Sequence, residues 1–161
     1  MSKKGESFAK YHIENTDSKF LETYWDWDKN IISPYDILKC SHKKVWIKCQ
    51  NKKYHESYEV ACNHFTHGSR CPYCHHYHGL VNYFDSLGFL YHDIAKMIVE
   101  DRRNNLTYED TYKIVPLSEK KYYYKCLKCG KYSSKKIQLS SLVKNTTSCR
   151  YCSDGISIPN K

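Results

Sequence analysis

Eight cysteine and histidine residues fall into two quartets whose spacing suits a tetrahedral metal ion. The first quartet is Cys49, His55, Cys71 and Cys74, and the second is Cys126, Cys129, Cys149 and Cys152. Zinc takes four thiolate or imidazole ligands, and two cysteines separated by two residues on a tight turn present both sulfurs to one ion. The pattern predicts two structural Zn²⁺ ions. Because four protein ligands leave no position for a reactive water, we expect the protein not to be an enzyme.

The fourth ligand of the first quartet is the less regular one. Five residues separate Cys49 from His55, so three other histidines compete for this position: His42, His64 and His67. His55 is favoured because it stands where the second quartet has Cys129. A further group, His75, His76 and His78, is expected to cap or solvate the start of a helix. Cys40 and Cys62 lack partners at metal spacing and are predicted to be small buried residues.

The cellular setting favours metal over disulfides. The N-terminus lacks the apolar run of a signal peptide, and no segment approaches membrane-spanning length. Paired Cys-x-x-Cys motifs in a reducing cytosol are more often metal sites than disulfides. We therefore expect a cytoplasmic protein, in a bacterial host cell if it is phage-encoded, with no membrane partner.

The two quartets belong to a longer internal repeat. Cys126 follows Cys49 by 77 residues and Cys149 follows Cys71 by 78. Ahead of the cysteines, Ser, Lys-Lys and Lys-Cys recur in register between residues 37–49 and 114–126. This predicts a flexible N-terminal arm at 1–19, zinc unit 1 at 20–90, zinc unit 2 at 91–155 and a truncated tail at 156–161.

Each unit is predicted to combine a β-hairpin with short helices. Residues 44–48 alternate polar and apolar side chains and should pair with residues 56–62, while 131–142 should form the second hairpin. Apolar spacing predicts short helices at 20–28, at 80–87 with Gly88 as the C-terminal cap, and from Asp93 to about Arg102. Trp25 and Trp27 are expected to fill a small core.

Positive charge is concentrated around the two quartets. The chain carries a formal charge of +9; residues 41–78 hold 6 basic against 2 acidic residues, and residues 119–161 hold 10 against 2. After the ligand cysteines lose their protons to two zinc ions, the charge stays near about +6. This favours nucleic acid as a partner. The alternative is that the lysines only form a solvated surface.

The candidate nucleic-acid contacts are the basic residues of both metal segments. They are Lys43, Lys44, Lys48, Lys52, Lys53 and Arg70 in the first segment, and Lys120, Lys121, Lys125, Lys128, Lys131, Lys135, Lys136 and Arg150 in the second. Tyr122, Tyr123 and Tyr124 could offer a stacking surface for unpaired bases, but a strand must turn at least one of them towards the core.

The first segment resembles a known family. The residues that carry the resemblance are Trp25, Asn30, Ser33–Asp36, Ser41, Lys44–Cys49, His55–Tyr58, Gly68 and Cys71–Cys74. They are similar to the tandem zinc-ribbon repeats of bacterial and phage proteins, which implies a treble-clef fold in which a hairpin knuckle and a helix N-terminus each supply two ligands. The expected fold class is thus a small, metal-stapled α+β protein with two tandem treble-clef or zinc-ribbon units.

The same resemblance also bears on function. Such repeats often precede nucleases of the very-short-patch-repair or restriction type in homing-endonuclease-like proteins, and the tail resembles the junction into that domain. No nuclease residue can be carried over to this chain. We therefore expect a zinc-stabilised nucleic-acid-binding protein of phage origin without its own nuclease domain. The alternative is an anti-CRISPR-like inhibitor that binds a protein or a defence ribonucleoprotein. The sequence does not distinguish DNA from RNA and does not give the oligomeric state.

Overall fold

The computed structural model describes residues 5–144 and 152, and the chain divides into two compact units between His75 and His76. The helices are α1 Phe8–Asn15, α2 Phe20–Thr23, α3 Cys62–Thr66, α4 Leu87–Leu90, α5 His92–Glu100, α6 Tyr108–Thr111 and α7 Leu139–Val143. The strands are β1 Lys44–Lys48, β2 Ser57–Ala61, β3 Lys121–Tyr122 and β4 Ile137–Gln138. Within the described residues, no helix has the length and apolar character needed to cross a membrane.

The first unit is built on the predicted hairpin of β1 and β2. The strands pair antiparallel with Trp46 opposite Glu59, and the prediction for this segment is confirmed. Alternation along β1 buries Val45 and Ile47 and leaves Trp46 on the outer face. Asn30 holds that face in place, because its side-chain amide accepts from the Trp46 N–H and donates to the Trp46 carbonyl, both at 2.8 Å.

The N-terminal segment is not the flexible arm that we expected from its polar composition. It forms α1, which is capped by the Ser7 side chain and anchored to the unit by a 2.7 Å hydrogen bond from the Phe8 N–H to the Ile37 carbonyl. The inward face of α1 carries Phe8, Ala9 and His12. Because the third of these positions is a histidine, the apolar periodicity that would reveal the helix is interrupted.

Aromatic rings fill the core of the first unit. Phe8, Phe20, Trp25 and Phe65 are all fully buried, as the core role predicted for Trp25 requires. Trp27 differs from that prediction: its side chain is 55% exposed. The expected helix over 20–28 is also shorter, since α2 ends at Thr23 and residue 25 bridges to Ile47 instead.

The second unit combines the four helices α4 to α7 with a smaller hairpin. The predicted face of α5 is confirmed, with Ile94, Met97 and Ile98 buried. Tyr122 pairs with Ile137 in the β3–β4 ladder, while Lys125 pairs with Tyr132 in an isolated bridge. Leu139 and Leu142 of α7 complete the core.

The start of the second unit also differs from the prediction. The division at residues 75 and 76 replaces the expected boundary at 90 and 91. The expected helix over 80–87 is absent: Tyr83–Asp85 form a 3₁₀ turn and α4 begins at Leu87. Gly88 lies inside α4 and is not its C-terminal cap; glycine suits this position because a Cβ would collide with the Thr111 side chain.

Several long-range hydrogen bonds of the first unit recur in the second at a fixed separation. Cys62 N–H binds the Lys43 carbonyl at 3.0 Å, and Leu139 N–H binds the Lys120 carbonyl at 2.8 Å. Each of these residues is 77 positions from its counterpart. The same holds for the bonds Asn63 to Ser41 and Ser140 to Ser118.

The asparagine clamp of the first unit has a counterpart as well. Asn104 accepts from the Tyr123 N–H at 2.9 Å and donates to the Tyr123 carbonyl at 2.6 Å, as Asn30 does with Trp46. Each unit therefore fixes the outer aromatic residue of its hairpin by the same pair of bonds.

Candidate metal centres

The first quartet converges on one point. The imidazole Nδ1 of His55 lies 3.7 Å from Cys49 Sγ, 3.6 Å from Cys71 Sγ and 3.3 Å from Cys74 Sγ, while Cys49 Sγ and Cys74 Sγ are 3.5 Å apart. A tetrahedral zinc with Zn–S of about 2.3 Å and Zn–N of about 2.0 Å requires S···S of about 3.8 Å and S···N of about 3.5 Å. The four ligand atoms, all within 4.8 Å of one another, are therefore compatible with a tetrahedral zinc site. A disulfide, with sulfurs about 2 Å apart, does not fit.

Two turns position these ligands. Cys49 directly follows β1 and its N–H binds the Glu56 carbonyl at 2.9 Å, which closes the loop that carries His55. The chain leaves this loop through Glu56 in the left-handed region, at φ 54°. Cys71 and Cys74 bracket the second turn, which leads into a 3₁₀ turn at Tyr77–Gly79 and not into the α-helix that the sequence suggested.

Hydrogen bonds to sulfur tune the thiols. Burial raises the pKa of Cys49, but hydrogen bonds from the backbone N–H groups of Lys52 and Asn51 and from the thiols of Cys74 and Cys71 together lower the pKa overall. Burial raises the pKa of Cys71 to about 12. Because a thiol must lose its proton to bind zinc, metal binding at this site releases protons and weakens at low pH.

Asn51 is a residue that the sequence did not single out. Its side-chain amide hydrogen-bonds to the Cys74 sulfur and lowers the pKa of that thiol, although burial raises it by more. The available signal in the sequence was an amide residue between the two ligands Cys49 and His55. The hydrogen bond from Asn51 to Cys74 links this first turn to the turn that carries Cys71 and Cys74.

The second quartet is represented by three of its four cysteines. The sulfurs of Cys126, Cys129 and Cys152 lie within 4.8 Å of one another, and Cys126 Sγ is 3.7 Å from Cys152 Sγ. This separation also matches two ligands of one zinc ion, for which about 3.8 Å is expected. Cys149 lies outside the described residues, as does Arg150. The knuckle is closed by Cys126 N–H to the Lys131 carbonyl, with Gly130 in the left-handed region.

The competing histidines lie elsewhere. His42 and His67 both contact Asn63, through its side-chain amide and its carbonyl respectively, and His64 is exposed on α3. His75, His76 and His78 are in the turns that follow Cys74, where His76 Nδ1 lies 3.1 Å from the Leu80 carbonyl. Cys62 is buried as predicted. Cys40 is exposed, so its prediction as a buried residue was wrong.

Most of the candidate basic contacts point to solvent. Lys43, Lys52, Lys53, Lys120, Lys121, Lys128, Lys131, Lys135 and Lys136 are exposed, and Lys48 is half-buried. Lys44 is exposed but pairs with Glu59 at 3.6 Å, and Lys125 pairs with Glu100 at 3.4 Å. Arg70 instead makes contacts within the first unit. Its guanidinium donates to the Phe65 and Ser69 carbonyls and stacks over the Phe65 ring at 4.2 Å, so it belongs to the fold of the first unit.

Comparison with known proteins identifies the class of the first site. Residues 21–77, about a third of the chain, match the model of a family described as a "Probable Treble clef zinc finger domain". This range contains all four ligands of the first quartet. No curated protein matches the chain. The treble-clef match and the two cysteine-rich clusters are together compatible with two structural zinc ions.

Proposed function

We propose that the protein binds nucleic acid and that its two zinc ions stabilise the units that make the contact. The observation that supports this is the charge of residues 120–144, which hold eight lysines and no acidic residue. Seven of the eight are exposed. So dense a run of like charge is self-repelling, and a polyanion such as the phosphate backbone of a nucleic acid would relieve that repulsion.

We further propose that the two units are tandem copies of one treble-clef repeat. The recurrence of the hydrogen bonds at 77 residues and of the asparagine clamp supports this, as does the spacing of the cysteines. The repeat then begins at the serine caps Ser7 and Ser86. In each case the next residue, Phe8 or Leu87, is fully buried and its N–H binds the carbonyl of Ile37 or Ile114.

In this proposal neither zinc ion takes part in catalysis. The first site has four protein ligands, so its coordination shell is complete without water. We propose the same for the second site, with Cys149 as the fourth ligand. The metal would supply the folding free energy that cores of this size lack.

The test is binding of the zinc-loaded protein to labelled single-stranded DNA, RNA and duplex DNA over a salt series. We expect the logarithm of the affinity to fall linearly with the logarithm of salt concentration, because each lysine–phosphate contact releases counterions. The slope counts those contacts. Absence of binding to all three probes at low salt would rule out the proposed function.

A further inference from the structure

The outer faces of the two hairpins carry opposite charge at one matching position. In the first hairpin Trp46 stands opposite Glu59, and Lys44 is paired with that same carboxylate. In the second hairpin Tyr123 occupies the clamped position, and Lys136 Nζ lies 5.4 Å from the centre of its ring. Lys136 follows Glu59 by 77 residues, so a lysine stands where the first hairpin has an acid.

Much of the other charge near Tyr123 is balanced. Arg103 stacks on the ring at 3.9 Å, but its guanidinium makes two bonds, of 2.9 and 2.7 Å, to the buried carboxylate of Asp101. Lys125 pairs with Glu100. Among the described residues, the ion pairs include neither Lys121 nor Lys136. Both are exposed, which leaves their charge available to a ligand.

The same hairpin also carries an accessible aromatic ring. Tyr132 is 50% exposed and pairs with Lys125 beside the loop that joins the two strands of the second hairpin, where the Lys125 ammonium is 5.7 Å from the ring. A ring of this kind on a basic face suits stacking with an unpaired base, whereas a base inside a duplex cannot reach it. In contrast, the Trp46 ring of the first hairpin is partly buried and lies under Lys29 at 4.8 Å.

We infer that the two units have divided their roles, and that a single nucleic-acid strand binds the outer face of the second hairpin. This inference rests on the proposed function and assigns it to one surface. Lys121 and Lys136 would contact phosphates, and Tyr132 would stack on a base. The outer face of the first hairpin, where Lys44 is paired with Glu59, would contribute little.

The experiment compares variants of the full-length, zinc-loaded protein for binding to fluorescein-labelled oligothymidylate, oligouridylate and a duplex of equal length. Lys136→Glu should weaken binding to the single strands by about tenfold or more, and Tyr132→Leu by about fivefold or more. Lys43→Glu is the matched control, because it makes the same change of charge at an exposed lysine of the first unit. We expect it to change the affinity by less than about threefold.

Zinc content and far-ultraviolet circular dichroism establish that each variant is folded. Tighter binding of wild-type protein to the single strands than to the duplex supports the inference. Equal losses for Lys136→Glu and Lys43→Glu would overturn it while leaving nucleic-acid binding intact, as would a preference for the duplex. Failure of the wild-type protein to bind any probe would instead reject the proposed function itself.

Discussion

At the scale of single residues, the metal ligands were the most predictable part of this protein. Zinc chemistry restricts both residue type and spacing, so Cys49, Cys71 and Cys74 could be grouped from the sequence alone. His55 was harder to assign as a ligand. Five residues separate it from Cys49, and this irregular spacing left three other histidines as candidates. The structure brings the Nδ1 atom of His55 to the three sulfurs.

His12 was missed because a buried histidine looks polar in a sequence. Its side chain is 1% exposed and lies among the rings of Phe8, Phe20 and Phe65. Nε2 donates to Thr66 Oγ1 at 3.1 Å, since that hydroxyl already donates to the Lys39 carbonyl, and Nδ1 is then the acceptor for the Thr16 hydroxyl. Burial, and after it the charges of Arg70 and Lys39, lowers the pKa of His12 to about 4.

This environment predicts a pH-dependent stability. The folded state holds His12 neutral, so its contribution is complete above the unfolded pKa of about 6.5 and is lost as the pH falls towards about 4. Between pH 7 and pH 5, the free energy of unfolding of the wild-type protein should fall by about 2 kcal/mol more than that of His12→Gln. Glutamine can bond both threonines without titrating. Urea unfolding at the two pH values measures the difference.

The comparison between the two proteins removes the effect of zinc release, which acid causes in both. Zinc content is measured at each pH to verify that the loss is equal. Parallel pH profiles for wild-type protein and His12→Gln would contradict the assignment of a neutral buried imidazole.

At the scale of secondary structure, the sequence predicted the first hairpin better than the helices or the second hairpin, whose strands are Lys121–Tyr122 and Ile137–Gln138 and do not fill the expected range 131–142. The segment from Lys44 to Lys48 alternates strictly, and a strand needs only that alternation to bury one face. The helices here are short: α2, α4 and α6 have four residues each, too few for a 3.6-residue period to show. Tertiary contacts hold helices in place as well, such as Phe8 of α1 to Ile37 and Leu87 of α4 to Ile114, and such contacts leave no local pattern.

The N-terminal helix should therefore matter more than its polar composition suggests. Phe8→Ala should destabilise the first unit by about 3–5 kcal/mol, because the ring is fully buried against Phe20, Trp25 and Phe65. Ile31→Ala is the control, since that isoleucine is fully exposed and its loss should change stability by less than about 0.5 kcal/mol. Urea denaturation of both variants measures the effect. Similar small losses would return residues 1–19 to the role of a dispensable arm.

At the scale of the whole molecule, two small cores share one chain. The first contains Phe8, Phe20, Trp25 and Phe65, and the second is built mainly from the aliphatic side chains of α5 and α7. Each core contacts its own cysteine cluster: Cys71 lies in the first and Cys126 in the second. The sequence located both clusters but misplaced the boundary between the units, because Ser7 and Ser86, where each unit starts to pack, are ordinary polar residues without a spacing rule.

This organisation predicts that the two metal sites fail independently. Cys71→Ser should abolish zinc binding at the first site and unfold residues of the first unit, while the second unit keeps its zinc and its fold. Cys126→Ser should do the reverse. Zinc content should drop from two ions to one per chain in each case, and amide NMR spectra should lose the signals of one unit only. Cys40→Ser, at an exposed cysteine outside both clusters, should keep both ions. Loss of both ions from either single-site variant would instead mean that the units fold as one cooperative domain.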